Sequence, residues 1–426
     1  MLFENFSAAQ NVLLWGGFAL AVVLGAVANK TNFCTMGAVS DWVNMGDTGR
    51  LRAWALAIAV AVLGVAGAEY MGWVNADAAF PPYRSAQLLW AENLFGGLLF
   101  GIGMTLASGC GNKTLIRIGG GNLKSVVVAL TIALIAYFMV NPFPGTDQTL
   151  MSVLFIDWIR PLAVTLNGRQ DLGTLVGGGN AGVMRLAIGL GLGVLLVAWV
   201  FKSADFRRSF DNVLGGLVVG LTVLGAWYLS SNLQLNIEGE TVALHESVNP
   251  TAEYWDMYPE FHAGLDEKPD GAPLSPQSFT FINPMGQTLG YAADGFASTK
   301  LTFGVMALFG VVLGSFLWAL VGRRFRFEWF ASWRDFFNHL SGAVLMGFGG
   351  VLAMGCTIGQ GVTGVSTLAL GSFIALGGIV LGSALTMKVQ YYRMVYEGEA
   401  GFLSALVTAL VDLHLLPKGM RRLAAV

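Results

Sequence analysis

Cys34, Cys110 and Cys356 are the only thiols in the chain, and all three stand in the same kind of setting. The sets are Lys30-Thr31-Asn32-Phe33-Cys34-Thr35, then Ser108-Gly109-Cys110-Gly111-Asn112-Lys113-Thr114, then Gly355-Cys356-Thr357-Ile358-Gly359-Gln360-Gly361-Val362-Thr363. Each follows an apolar stretch and is surrounded by hydroxyls, amides and glycine backbone. A thiol is a weak, polarisable hydrogen-bond donor. The side chains of Asn32, Thr35, Asn112, Lys113, Thr114, Thr357, Gln360 and Thr363, with nearby backbone N–H groups, can complete a shell for a small oxyanion. One such Cys alone reads most simply as a small buried hydrophobe. Three in matching surroundings point to a shared task. Lys30 and Lys113 either lower the cost of a negative ligand or mark the edge of the membrane.

Other chemistries fit less well. Three widely spaced Cys make neither a disulfide framework nor a zinc pattern. Three thiols suit a soft metal, and Met36, Met104 and Met354 lie near them in sequence, so metal transport stays open. No resident metal or cofactor is expected. There is no Walker A run, no GxGxxG after a strand, and no Ser-His-Asp or His-x-x-Glu signature. The net charge of -2 gives no reason to expect nucleic acid.

The elements that must position these groups are membrane helices. Of 426 residues, 55% are hydrophobic and 12% charged, against ~25% charged in a soluble domain. Mean hydropathy is +0.63. The expected fold is an all-α polytopic membrane protein, since long apolar runs recur along the chain. About nine spans are predicted: 11–29, 51–68, 92–109, 122–140, 182–201, 211–230, 301–321, 340–355 and 366–387. The spans before Cys110 and Cys356 are short and read as broken or re-entrant. The chain divides into a first membrane repeat (1–140), a connecting segment with two helices (141–230), an acidic insert (231–299), a second repeat (300–400) and a short helix with a basic tail (401–426). The insert carries ten acidic residues and one basic residue, Lys268, and is expected outside the bilayer. Basic residues in the other connections put those connections, and the C-terminus, on the cytoplasmic side. Asp41, Glu69 and Asp157 are expected at the interface, and Arg185 is expected to snorkel to the headgroups.

An internal repeat is the clearest pattern. GGLLFGIGMTLASGCG (96–111) matches GAVLMGFGGVLAMGCT (342–357) at one offset, 246 residues. Gly101, Gly103 and Gly109 align with Gly347, Gly349 and Gly355, all predicted to let helices approach closely. On the span count the two copies run in opposite directions, which makes an inverted repeat with its site near the midplane. A partial copy without Cys lies at 212–220. The first span weakly matches 311–329, with Gly25 against Gly314 and Arg323 where Cys34 would be.

The NFCTMGAVSD, GxxLASGCGNKTL and GGVLAMGCTIGQG elements together resemble the YeeE/YedE, or sulfur-transport domain, family of bacterial inner-membrane proteins. The resemblance covers nearly the whole chain apart from the insert. It implies uptake of a small sulfur-containing anion, thiosulfate in the characterised branch, through an hourglass-shaped protein of nine spanning and several partial helices. It implies that Cys34, Cys110 and Cys356 line the constriction and hand the anion along by hydrogen bonds. It also implies a small cytoplasmic sulfur-carrier protein as partner. Some longer members are linked to selenium metabolism, so a selenium compound or another small anion is the alternative substrate. A membrane sulfurtransferase working through a cysteine persulfide is the alternative activity.

Overall fold

The computed structural model describes residues 1–237, 239–247, 274–396 and 401–424. The chain is an all-α polytopic membrane protein. Backbone groups at membrane depth must bond within their own segment, so long apolar runs become helices. Among the described residues, eight helical stretches are long and apolar enough to cross a bilayer. They account for every predicted span except 340–355. That one is the helix Trp333–Leu352, whose first turns carry Arg334, Asp335 and His339. These polar residues lower its hydropathy without shortening it.

The helices that build the site are α1 (Phe6–Lys30), α2 (Thr35–Ser40), α3 (Gly49–Tyr70), α4 (Trp90–Leu106), α5 (Gly111–Gly119) and α6 (Leu123–Val140). Further along come α7 (Leu172–Gly177), α8 (Ala181–Phe201), α9 (Phe210–Ser231), α10 (Ile282–Ala293), α11 (Phe303–Val321), α12 (Trp333–Leu352) and α13 (Leu370–Val395). Residues 357–366 form a further short helix, part of it π-helical.

The repeat packs against itself. α4 and α12 cross antiparallel, backbone against backbone. A Cβ on Gly96 would sit 2.8 Å from Gly349 O, and one on Gly349 would sit 2.5 Å from Gly96 O. A Cβ on Gly103 would sit 2.6 Å from Gly342 O, and one on Gly342 the same distance from Gly103 O. The 246-residue offset carries Gly96 to Gly342 and Gly103 to Gly349, so these two contacts are one contact seen twice. Such a self-complementary seam is what a two-fold relation requires. The weak Gly25–Gly314 match behaves likewise. Gly25 lies on the Val311 backbone in α11, and Gly314 lies on the Val22 backbone in α1. The Cys-less copy repeats a different seam. Gly97 and Gly101 rest on the Ala375 and Ile379 carbonyls of α13, while Gly216 and Gly220 rest on the Ala53 and Ala57 carbonyls of α3.

The 231–299 segment departs from expectation. Its residues 248–273 lie outside the described residues. Gln234–Ile237 and Glu240–Ala243 form a hairpin, joined in parallel by Leu2–Phe3. The end of the segment packs into the protein. Phe279, Phe281 and Ile282 are wholly buried. Residues 275–281 form a strap tied along its length: Phe80 N–H donates to Pro276 O, Ser278 Oγ to Val223 O, and Thr363 Oγ1 to Phe279 O. The strap leads into α10, where Ile282 fills the space beside Gly350 and Gly286 lies on the α6 backbone. Bare glycine surfaces supply docking room that the sequence pattern did not reveal.

Gly349→Val places branched carbons against the Gly96 and Phe100 backbone, where no side chain can yield. It should cost about 3 kcal/mol or more, read as a lowered melting temperature in detergent. Gly377→Ala, inside α13 where a Cβ meets nothing within 4 Å, should hold or raise the melt, by up to about 1 kcal/mol, because Ala favours a helix more than Gly does.

Candidate functional site

Each Cys sits at a break between two helices, and the three breaks share one construction. The preceding helix ends on a left-handed residue two positions before the thiol: Asn32 (φ 51), Ser108 (φ 58) and Met354 (φ 55). None of these is glycine; Asn adopts this region readily, while Ser108 and Met354 each do so at a cost of roughly 1–2 kcal/mol. The next amide then folds back: Phe33 N–H to Ala28 O, Gly109 N–H to Met104 O, Gly355 N–H to Gly350 O, at 3.1, 2.8 and 2.8 Å. Cys34 and Cys110 are extended and stand as N-caps of α2 and α5. Cys356 precedes the 357–366 helix.

The thiols act as caps. Gly37 N–H donates to Cys34 Sγ and Gly359 N–H donates to Cys356 Sγ, each at 3.5 Å. At Cys110 the matching N–H, of Lys113, lies close to the sulfur without closing a cap bond. A sulfur that accepts from backbone keeps its S–H proton to donate elsewhere. All three Cys are free and buried.

The breaks converge. A Cβ on Gly111 would lie 3.9 Å from the Cys356 Cβ. Cys110 is within electrostatic reach of both Cys34 and Cys356, and Thr357 faces its thiol. Ile282 of α10 closes over Gly111 from the side. The start of α5 and the start of the 357–366 helix therefore meet at adjacent cysteines, and each presents orphan backbone N–H donors there. Helix starts of this kind suit an anion.

Around the thiols, buried polar atoms lack conventional partners among the described residues. They are Thr35 Oγ1, Asn112 Oδ1, Thr357 Oγ1, Gln360 Oε1, Thr280 Oγ1 and Trp54 Nε1. Native interiors rarely leave such atoms unpaired without a ligand, water or functional reason. Of the residues named from sequence, Thr35, Asn112, Thr357 and Gln360 are thus poised for a ligand. Gln360 is held in place by its amide nitrogen, which donates to Ala353 O. Thr114 and Thr363 are not poised, because their hydroxyls donate to Cys110 O and Phe279 O. Gly101, Gly103, Gly347 and Gly349 lie in helix seams. Gly109 and Gly355 lie in the breaks instead, where a Cβ would press on Lys113 and Gln360.

Lys113 Nζ donates to Asn32 Oδ1 at 2.5 Å, which ties the Cys110 break to the Cys34 break. Both residues line a cavity of about 440 Å3 that also holds Arg117, Lys124, Arg324 and Arg326. Lys124 pairs with Asp335 and Arg326 with Glu328. Basic residues from separate connections therefore share one face, as their positions in the sequence imply. Lys30 is elsewhere, paired with Asp211 at 2.5 Å. α11 ends in the same left-handed turn as α1. In that turn Arg323 (φ 51) matches Asn32, and Phe325, two residues on, takes the place of Cys34. The fourth break carries no thiol.

Sequence reasoning missed the groups that hold the far side. Tyr83 is buried and donates to Gly359 O at 3.1 Å. Trp54 stacks on Phe33 at 5.0 Å and reaches Gly361. Arg185 does not snorkel. It is buried and paired through two nitrogens with Asp171, both at 2.8 Å, and it reaches Glu69 and Asp77. Arg84 pairs with the same Glu69 and Asp77 and donates from Nε to Thr367 O at 2.8 Å. Leu172 N–H donates to Leu368 O, and Leu370 N–H to Gln170 O. This ion network clamps the loop that ends the Cys356 helix. Two arginines and three carboxylates at five scattered positions carry no signal in a sequence; only the fold gathers them.

The sulphur transport family profile matches residues 30–385, which spans all three breaks. The chain belongs to the sulphur transport family. Among its relatives, the thiosulfate transporter TsuA of Escherichia coli (strain K12) is 25% identical over 406 residues, covering 89% of this chain and 96% of the relative. The thiosulfate transporter TsuA of Spirochaeta thermophila (strain ATCC 700085 / DSM 6578 / Z-1203) is 22% identical over 392 residues, covering 89% and 100%. In this family member, Arg84→Met leaves Glu69 and Asp77 partly unpaired in a buried setting. It should destabilise the protein by about 3–5 kcal/mol, measured by thermal unfolding in detergent.

Proposed function

We propose that this protein carries thiosulfate across a bacterial inner membrane, inward, through the three cysteine breaks, and that it is a transporter rather than an enzyme. The observation that carries the reading is the convergence of three buried thiols, two of them capping helices, with buried hydroxyls and amides that have no partner of their own. The relatives named as thiosulfate transporters support the choice of anion.

Thiosulfate is a dianion with one soft terminal sulfur and three hard oxygens. The thiols suit the sulfur. The hydroxyls of Thr35 and Thr357 and the helix-start N–H groups suit the oxygens. The route runs from the side of the 231–247 hairpin to Cys356, then to Cys110, then to Cys34 and Lys113, and out through the basic cavity. Conduction needs several sites, each weak enough to release. Neutral thiols giving single hydrogen bonds meet that need, since each is worth only about 1 kcal/mol net. Asn112 Oδ1 and Gln360 Oε1 are acceptors that can hold S–H protons between passages.

The basic face is the cytoplasmic one in this reading, because positive residues stay inside. Its cavity then draws the anion away from the thiols, against an unfavourable potential of ~2.3 kcal/mol per charge per 100 mV. It is also the face at which a small sulfur-carrier protein would collect the product. Residues 1–140 and 300–400 form the two inverted halves around the route.

The test is influx of labelled thiosulfate into liposomes holding the purified protein. Cys110→Ala and Cys356→Ala should abolish influx, and Cys34→Ala should lower it at least about threefold, at equal protein per vesicle. Wild-type rates in all three variants would sink the relay. Sulfate, sulfite and selenite as competitors rank the substrates.

A further inference from the structure

The outer end of the route holds a second polar feature, made by the part of the chain that the sequence placed outside the bilayer. Thr280 on the strap is about nine-tenths buried, yet its hydroxyl has no hydrogen-bond partner among the described residues. It lies against the bare backbone of the Cys356 break, 3.4 Å from where a Cβ on Gly355 would stand and closer still to one on Gly359. Asn283 and Gln287 follow at helical spacing on α10. The neighbouring face of α10 is apolar and packed, with Ile282 on Gly350 and Gly286 on α6. Thr280, just before the helix, and Asn283 and Gln287 within it form a polar stripe beside that face.

Two cavities meet along this stripe. A wide one of about 370 Å3 is lined by Asn283 and Gln287 with Gln10, Asn141 and Thr302. A narrow one of about 10 Å3 is lined by the same Asn283 and Gln287, and also by Thr280. Phe80, Pro81 and Phe303 also line the narrow cavity, with Gln277 and Ser278 of the strap. Gln287 Oε1 accepts from Thr302 Oγ1 at 2.8 Å, which leaves its amide N–H groups to face the cavity.

We propose that Thr280, Asn283 and Gln287 form an outer selection site, upstream of Cys356, for a sulfur oxyanion that bears one soft terminal atom. This rests on the transport reading above. An anion entering a channel too narrow for its hydration shell must exchange water for protein donors. The stripe offers neutral donors to the oxygens. Phe80, Pro81 and Phe303 offer apolar, polarisable surface to the terminal sulfur. Sulfate has no soft end, so turning any of its oxygens to that surface leaves an oxygen unsolvated. The narrow cavity has room for about one water in the resting protein, so it must widen to pass an anion; its lining then favours thiosulfate-like anions, and Thr280 is the last donor before the thiols.

Thr280→Val tests this cleanly. The substitution keeps the shape and removes a hydroxyl that bonds nothing in the resting protein. The melting temperature without ligand should therefore hold or rise. The half-saturating thiosulfate concentration for influx should rise about tenfold, the effect of one lost hydrogen bond to a charged ligand. Thr280→Ser, which restores the hydroxyl, should return it to within about twofold of wild type. A thermal-shift series in detergent, with thiosulfate, sulfate, sulfite and selenite, reads binding without flux. Wild type should be stabilised most by thiosulfate, and Thr280→Val should lose that preference. Unchanged half-saturation and unchanged ligand shifts in Thr280→Val would overturn the selection site, as would a wild type that no oxyanion stabilises. If wild-type liposomes admit no thiosulfate while another oxyanion stabilises the protein through Thr280, the site stands and the thiosulfate reading falls.

Discussion

A helix that stops inside a bilayer exposes backbone N–H and C=O groups where no water can reach them. Everything around the three cysteines follows from that constraint. The carbonyls of the ending helix are closed by a left-handed residue and a folded-back amide. At Cys34 and Cys356 the thiol accepts one of the freed N–H groups of the helix that follows. The remaining donors at these helix starts have no carbonyl of their own helix to bond. The same defect that is expensive in an empty membrane protein becomes a place for a negative ligand.

Such breaks hold their positions only if the surrounding helices are rigid. The rigidity comes from glycine. Gly96, Gly103, Gly342 and Gly349 let α4 and α12 touch along their backbones, and Gly25 and Gly314 do the same for α1 and α11. Lipid tails offer no hydrophobic penalty to drive helices together, so close packing must do it. The two-fold relation gives both broken helices the same support. Cys110 and Cys356 therefore come to adjacent positions from opposite halves. The ion network of Arg84, Arg185, Glu69, Asp77 and Asp171 then clamps the loop behind the Cys356 helix.

The two ends of the route differ in chemistry. The cavity beside Lys113 is lined by five cations, two of them held by carboxylates. The cavities beside α10 are lined mainly by amides, hydroxyls and aromatic rings, with the Lys300–Asp294 pair at the wider one. In the proposed route a small dianion passes from the second setting to the first.

Much of this was legible in the order of residues. Hydropathy alone set out the helices, because a span needs about twenty apolar residues whatever surrounds it. The 246-residue offset exposed the inverted repeat and its glycine register, because backbone contact admits almost nothing larger than glycine. The like surroundings of Cys34, Cys110 and Cys356 marked the candidate site, because polar groups at membrane depth are rare. Tertiary structure alone decided which polar atoms were already taken. Thr114 and Thr363 look like Thr35 and Thr357 in sequence but bond to carbonyls. It alone turned Arg185 inward, since its partners stand 14 to 116 residues away. It alone brought Thr280 and α10 back from an acidic insert to the thiols. Local patterns record what each segment must bury. Which surfaces are left open for a segment to enter depends on long-range packing, and no local pattern records that.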